Sequence, residues 1–149
     1  MNETMLIPLL CGLLGGAEDE RKHSFVNNGT EVSVVIDCET RTHVIEIGRD
    51  VRSSRDSIHQ AELAAWLTDK TPMVILIDTD GREGRYEQEM RFVAERLGVA
   101  YGVCSEPFLV RWAATAPFRR IGSDKTLNDL PIEAMARGFC DIHGLDLPS

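Results

Sequence analysis

Two acidic residues lie in neighbouring apolar runs that could bring them together. Asp37 closes the run EVSVVID at residues 31–37, and Glu46 lies inside THVIEI at residues 42–47. Both runs are short and rich in β-branched residues, which predicts two strands, and the four polar residues between them suit an antiparallel hairpin. Such a hairpin would bring both carboxylates to one rim of a sheet. Paired carboxylates are hard-oxygen ligands for Mg²⁺ or Mn²⁺, which can activate water for phosphodiester hydrolysis.

The same spacing has a simpler interpretation. Asp37 can end a strand, and Glu46 can be a solvent-facing member of an alternating strand. Spacing alone does not separate the two interpretations, because a D-x8-E pattern arises readily by chance.

A longer pattern favours the metal site. From Asp37 the chain runs DCETRTHVIEIG and then, around Gln60, SIHQAELA. This pattern resembles the PD-(D/E)XK phosphodiesterase superfamily, particularly a small bacterial branch, over residues 37–78. The resemblance implies a restriction-endonuclease-like core in which Asp37 and Glu46 bind Mg²⁺ or Mn²⁺ and Gln60 faces the site. An acid from the N-terminal helix often joins them, and both Glu18 and Glu20 stay open.

One position departs from that family. Active members carry a lysine two residues after the glutamate, and this chain has Gly48 there. Three arginines follow and could replace the missing cation; they are Arg49, Arg52 and Arg55. An arginine binds phosphate but is not a readily deprotonated base, so the expected role of Arg52 or Arg55 is to steady phosphate or water. The sequence therefore predicts a nuclease-like hydrolase that is either active or catalytically degenerate, and a non-enzymatic partner-binding protein on the same fold is the alternative.

A second acidic stretch offers a different site. DTDGREG at residues 78–84 resembles the DxD motif of TOPRIM phosphotransfer domains, in which Asp78 and Asp80 would hold Mg²⁺ and Glu46 would complete the set. Those domains usually place another strand before the motif, and this chain leaves no room for it. The stretch also fits a polar turn at the end of a strand. Asp50 is either an extra ligand or a cap.

The periodicity of apolar residues predicts an α/β fold with a mixed central sheet and helices on both faces. Besides the strands at 31–37 and 42–47, it predicts a buried N-terminal helix ended by Gly15-Gly16 and further elements as follows: helices at 57–67, 86–97 and 107–116, and strands at 73–78 and 99–104. Residues 1–149 are expected to form a single domain, with residues 118–149 as a C-terminal extension in which only 131–139 looks helical.

Composition bears on the expected substrates, the state of the cysteines and the cellular compartment. A formal charge of −8 weakens a general attraction to nucleic acid without excluding it. DNA, RNA and small nucleotides all stay open as substrates, because no base-reading motif is visible. The four cysteines form no metal-binding pattern and are expected to be reduced core residues, and the N-terminal apolar run lacks a basic flank. A cytoplasmic protein without a membrane partner is therefore expected, with a homodimer left open. His43, His59, Trp66 and Trp112 are expected to have structural roles, and Arg119-Arg120 is weak evidence for phosphate binding.

Overall fold

A five-stranded mixed sheet carries helices on both faces. The computed structural model describes residues 3–14, 23–50, 56–114 and 140–143. In chain order the elements are α1 (Glu3–Leu13), β1 (His23–Asn27), β2 (Thr30–Val34), β3 (Cys38–Glu39), β4 (His43–Arg49), α2 (Asp56–Thr68), β5 (Thr71–Asp78), α3 (Arg85–Leu97), β6 (Ala100–Ser105), α4 (Glu106–Ala114) and β7 (Cys140–His143).

The strand order of the sheet is β3-β4-β5-β6-β7. The three central strands are parallel, with Glu46 opposite Val74 and Asp78 opposite Ser105, whereas β3 and β7 run antiparallel at the two edges. The apolar run of β5 is buried on both faces, as a central parallel strand requires. The carboxyl ends of β4, β5 and β6 therefore meet at one edge of the sheet.

Alternate side chains of the strands pack on opposite layers of helices. Ile45 and Ile75 pack with α1 and α4 in one apolar cluster. Val74 and Leu76 pack with α2 and α3 in another. The mixed sheet with helices on both faces is thus confirmed, whereas the restriction-endonuclease-like core stays an expectation.

The hairpin partner of β4 differs from the predicted one. The predicted strand at 31–37 forms β2, which pairs with β1 in a separate two-stranded sheet. Asn28 and Gly29 link these strands with positive φ angles of 51° and 77°, as a tight hairpin turn demands. The strand opposite β4 is the two-residue β3, and Cys38 pairs with Ile45.

The other predicted elements agree within a few residues. Gly98 ends α3 in the left-handed conformation at φ 72°, which a glycine adopts without strain. Trp112 is partly buried and stacks on Phe108, as expected, but Trp66 is 77% exposed, so its predicted packing is wrong. The predicted helix at 131–139, the end of the 107–116 helix and the Gly15-Gly16 stop lie outside the described residues. The short strand β7 was not predicted.

The cysteines are paired, which corrects the expectation of reduced thiols. Cys11 is bonded to Cys38 with a Cα–Cα distance of 5.4 Å, and Cys104 to Cys140 with 4.1 Å. The first disulfide joins α1 to β3, and the second joins β6 to the edge strand β7. Within the described ranges, no helix is long and apolar enough to cross a membrane.

Candidate functional site

Asp37 and Glu46 lie side by side, and we call them the acidic pair. Cys38 is opposite Ile45 in the antiparallel β3–β4 pairing, so the residues that flank this couple, Asp37 and Glu46, also face each other. The Oδ2 atom of Asp37 accepts a hydrogen bond from the backbone N–H of Ile47 at 3.0 Å, which anchors the aspartate to β4. The structure therefore brings together the two carboxylates that the sequence singled out.

Glu46 is the buried member of the acidic pair. Its side chain is 3% exposed, and its Oε1 atom has no hydrogen-bond partner among the described residues. Burial, the charge of Asp37 and a hydrogen bond to the Asp37 carboxylate together raise the pKa of Glu46 to about 9, and burial is the largest cause. The backbone N–H of Asp37 opposes this shift. At neutral pH the pair accordingly shares one proton, held on Glu46.

A second acidic group lies at the carboxyl edge of the parallel strands. One carboxylate oxygen from each of four residues lies within 4.8 Å of the others; these residues, called here the edge carboxylates, are Asp50, Asp78, Asp80 and Glu87. The backbone N–H of Asp50 donates to the carbonyl of Ile77 at 3.3 Å, so the parallel β4–β5 pairing extends to Asp50 and Asp78. This edge is where ligands bind in open parallel sheets.

The loop after β5 orients these side chains. Asp78 Oδ1 accepts hydrogen bonds from the backbone N–H groups of Asp80 and Gly81, each at 3.1 Å. Both oxygens of Asp50 accept a hydrogen bond from the Thr79 hydroxyl at 3.0 Å. Burial raises the pKa of Asp78, with the charge of Asp80 among the further causes. The predicted polar turn is thus present, and it also holds carboxylates near a common centre.

Glu87 is the member that the sequence reasoning missed. It is 2% exposed, on the buried face of α3 with Met90 and Ala94, and its Oε1 atom has no hydrogen-bond partner in the described part of the chain. Burial raises its pKa to about 7, and the charges of Asp78 and Asp50 contribute. The sequence signal was the spacing on α3. Glu87 lies three residues before Met90 and seven before Ala94, so all three share one face of the helix. The apolar residues Val93 and Leu97 of the same helix are exposed, so the buried face of α3 does not follow its apolar residues alone.

A cavity opens beside the edge carboxylates. Its volume is about 760 Å³, and Asp78 and Glu87 form part of its wall. Arg91, Arg111 and Phe108 also line it. Arg91 donates to Glu83 at 2.8 Å, which offsets one charge of the wall. The cavity thus combines carboxylates, guanidinium groups and an aromatic ring.

Several predicted site residues lie elsewhere. Gln60 is exposed on α2, and no hydrogen bond joins it to the acidic pair within the described residues. Arg49 binds Glu106 at the start of α4 at 2.8 Å. His43 bonds the adjacent Thr42 hydroxyl at 2.6 Å, and His59 is exposed. The remaining candidates fall outside the described residues: Glu18, Glu20, Arg52, Arg55, Arg119 and Arg120.

Glu46 is not one of the edge carboxylates, which bears on the TOPRIM-like set. Glu46 lies on β4, four residues before Asp50, and this separation corresponds to roughly 13 Å along an extended strand. Asp50 occupies the place beside Asp78 that the sequence assigned to Glu46. The two acidic sites therefore lie on one face of β4, with Gly48 between them.

Comparison with known proteins finds no counterpart. No family model, no curated protein and no solved structure matches this chain. What the acidic sites do is accordingly argued from their own geometry.

Proposed function

We propose that this protein is a divalent-metal-dependent, nuclease-like phosphodiesterase whose metal ligands are Asp37 and Glu46. The observation that carries the proposal is the buried contact between these two carboxyl groups, one of which has an oxygen without a partner. An unpaired buried carboxyl oxygen is costly, and a cation would give it a partner. Mg²⁺ or Mn²⁺ is the expected metal, because the ligands are carboxylate oxygens.

The order of elements supports the same proposal. A helix precedes antiparallel strands, the aspartate comes just before β3, the glutamate lies on β4, and α2 then leads to the parallel strand β5. This order agrees with the restriction-endonuclease-like core that the resemblance implies. The core itself remains part of the proposal.

Proton competition limits metal binding at the acidic pair. A cation must displace the proton of Glu46, whose pKa is about 9. At pH 7 this costs about 3 kcal/mol, at 1.36 kcal/mol for each pKa unit. Metal binding at the pair should therefore strengthen as the pH rises.

A bound divalent cation would polarise a phosphoryl oxygen and lower the pKa of an attacking water. The side chains of Asp37 and Glu46 hold that cation beside β4. Gly48 offers no charge to the transition state, and Arg49 is engaged with Glu106. In this proposal Arg52 or Arg55 supplies the positive charge, as the sequence predicts. The substrate is a nucleic acid or a nucleotide.

The absence of a lysine at position 48 keeps a second function in view. With a proton on Glu46 the two carboxyl groups no longer repel each other, and Glu46 Oε1 is left as the oxygen without a hydrogen-bond partner. Such a pair can have a purely structural role. A non-enzymatic, partner-binding protein, which the sequence left open as a homodimer, would then bind no metal at the acidic pair. Metal binding separates this alternative from the phosphodiesterase.

The test is hydrolysis of bis(4-nitrophenyl) phosphate by the metal-free protein with and without Mn²⁺. We expect a Mn²⁺-dependent rate that Asp37→Asn and Glu46→Gln each lower at least about a hundredfold, since changes around metal ligands alone cost ~10–100-fold. Glu31→Gln is the matched control, because Glu31 is exposed on β2. A rate that survives both site variants would reject Asp37 and Glu46 as the catalytic ligands. Metal binding without hydrolysis would support the degenerate form.

A further inference from the structure

One buried oxygen of the edge carboxylates lacks a hydrogen-bond partner among the described residues, although the Glu87 side chain also shares a hydrogen bond with Asp50. Glu87 is 2% exposed, and its Oε1 atom, which is inaccessible to solvent, makes no hydrogen bond with any described residue. Natural proteins rarely leave a buried carboxyl oxygen unsatisfied. The same side chain contributes to a group of four carboxylates whose oxygens lie within 4.8 Å of one another. A cation at the centre of the cluster would offset the negative charge and give the unsatisfied buried oxygen a partner.

The loop geometry favours a hard divalent cation. The backbone N–H groups of Asp80 and Gly81 donate to Oδ1 of Asp78, and the backbone N–H of Arg82 donates to Oδ1 of Asp80 at 2.9 Å. The loop thus holds one oxygen of Asp78 and one oxygen of Asp80. A set of carboxylate oxygens suits hard divalent cations such as Mg²⁺, Ca²⁺ or Mn²⁺.

The neighbouring cavity has the size of a small-molecule site, and its wall carries more carboxylates than guanidinium groups. Its volume of about 760 Å³ falls within the ≈ 300–1,000 Å³ of small-molecule sites. Asp78 and Glu87 lie on its wall, and so do Arg111 and Phe108. Without a cation the carboxylates repel a phosphate group, so a phosphate can bind only after the cation has entered. Guanidinium groups such as that of Arg111 are suited to phosphate oxygens.

We propose that the edge carboxylates bind a divalent cation and that the cavity beside them binds a small phosphorylated ligand between this cation and Arg111. The order of binding is cation first and phosphate second. This site is separate from the acidic pair, and its ligand set adds Asp50 and Glu87 to the two aspartates of the DTDGREG stretch. The small cavity and the charge of −8 favour a small phosphorylated compound over a nucleic-acid polymer.

The first test measures Mn²⁺ binding by electron paramagnetic resonance in a Glu46→Gln background, which removes the acidic pair. We expect saturable binding of one ion, weakened about tenfold or more by Glu87→Gln or Asp80→Asn, as loss of a charged ligand predicts. Glu95→Gln is the control, because Glu95 is exposed on the same helix. Asp80 is also exposed, so Asp80→Asn keeps the test valid if Glu87→Gln does not fold.

Mn²⁺ binding that is lost with Glu46→Gln alone would overturn the edge site and leave the phosphodiesterase proposal intact. Equal binding by the background and its Glu87→Gln and Asp80→Asn variants would also overturn it.

The second test uses equilibrium dialysis of radiolabelled inorganic phosphate against the Glu46→Gln protein. We expect phosphate to bind with Mg²⁺ present and not with EDTA. Arg111→Gln should weaken phosphate binding about tenfold or more while Mn²⁺ binding stays unchanged. Phosphate binding that is independent of Mg²⁺, or equal in the Arg111→Gln variant, would overturn the proposed ligand site.

Discussion

The carboxyl groups of Glu46 and Asp37 face each other across the β3–β4 pairing, and burial with the nearby aspartate raises the pKa of Glu46 to about 9. This relationship connects the sequence pattern to its chemistry. In the proposed function a cation must displace this proton, so metal binding at the acidic pair would depend on pH.

The first prediction concerns stability and pH. The folded protein binds the Glu46 proton more tightly than the unfolded chain, because the pKa rises from 4.5 to about 9. The stability from this proton is complete below pH 4.5 and is lost as the pH rises towards 9. Relative to Glu46→Gln, the parent protein should lose about 1.4 kcal/mol of unfolding free energy per pH unit between about pH 6 and pH 8.

Urea unfolding in EDTA at both ends of that pH interval measures this difference. Glu62→Gln is the control, because Glu62 is exposed on α2. A difference between parent and Glu46→Gln that stays constant with pH would show that Glu46 does not titrate in this interval.

The second prediction concerns the disulfides. The bonded cysteines are separated by 27 and 36 residues, so each bond should stabilise the folded state by about 3–4 kcal/mol on the chain-entropy estimate. Reduction should therefore lower the urea midpoint strongly. The double variants Cys11→Ser, Cys38→Ser and Cys104→Ser, Cys140→Ser assign the loss to each bond. An unchanged midpoint on reduction would mean that the thiols are not paired in solution.

The third prediction concerns how α3 is held against the sheet. The hydroxyl of Tyr101 donates to the backbone carbonyl of Glu87 at 3.0 Å, within the buried layer. Tyr101→Phe should cost about 1 kcal/mol of unfolding free energy, because the carbonyl loses a partner. It should also weaken Mn²⁺ binding at the edge carboxylates, since the bond positions Glu87. Unchanged stability and Mn²⁺ affinity would show that this hydrogen bond has neither role.

Local pattern was enough to predict most elements of the sheet. The apolar run at residues 73–78 predicted a central strand, and the predicted helix at 86–97 ends where α3 ends. The strand before the Asn28-Gly29 turn was not predicted, so β2 was paired with the wrong partner. Its true partner, β1, has few apolar residues and only a weak pattern.

The acidic sites were partly predictable. The meeting of Asp37 and Glu46 was predictable because the register of an antiparallel hairpin depends on residues that are close in sequence. The meeting of Asp50, Asp78 and Glu87 depends instead on a parallel crossover and on which face of α3 is buried. The cysteine pairs likewise join residues that only the folded chain brings together, and Trp66 looked like a core residue but is exposed.

The most direct test of the central claim is calorimetric titration of Mn²⁺ into the metal-free Glu87→Gln protein, in which binding at the edge carboxylates is weakened. We predict one bound ion per chain, with an affinity that rises about tenfold from about pH 7 to pH 8 as the Glu46 proton becomes easier to displace. Adding Asp37→Asn and Glu46→Gln should abolish this binding while the fold is kept. A folded Glu87→Gln protein that binds no Mn²⁺, or equal binding after the two further substitutions, would contradict a metal site at Asp37 and Glu46.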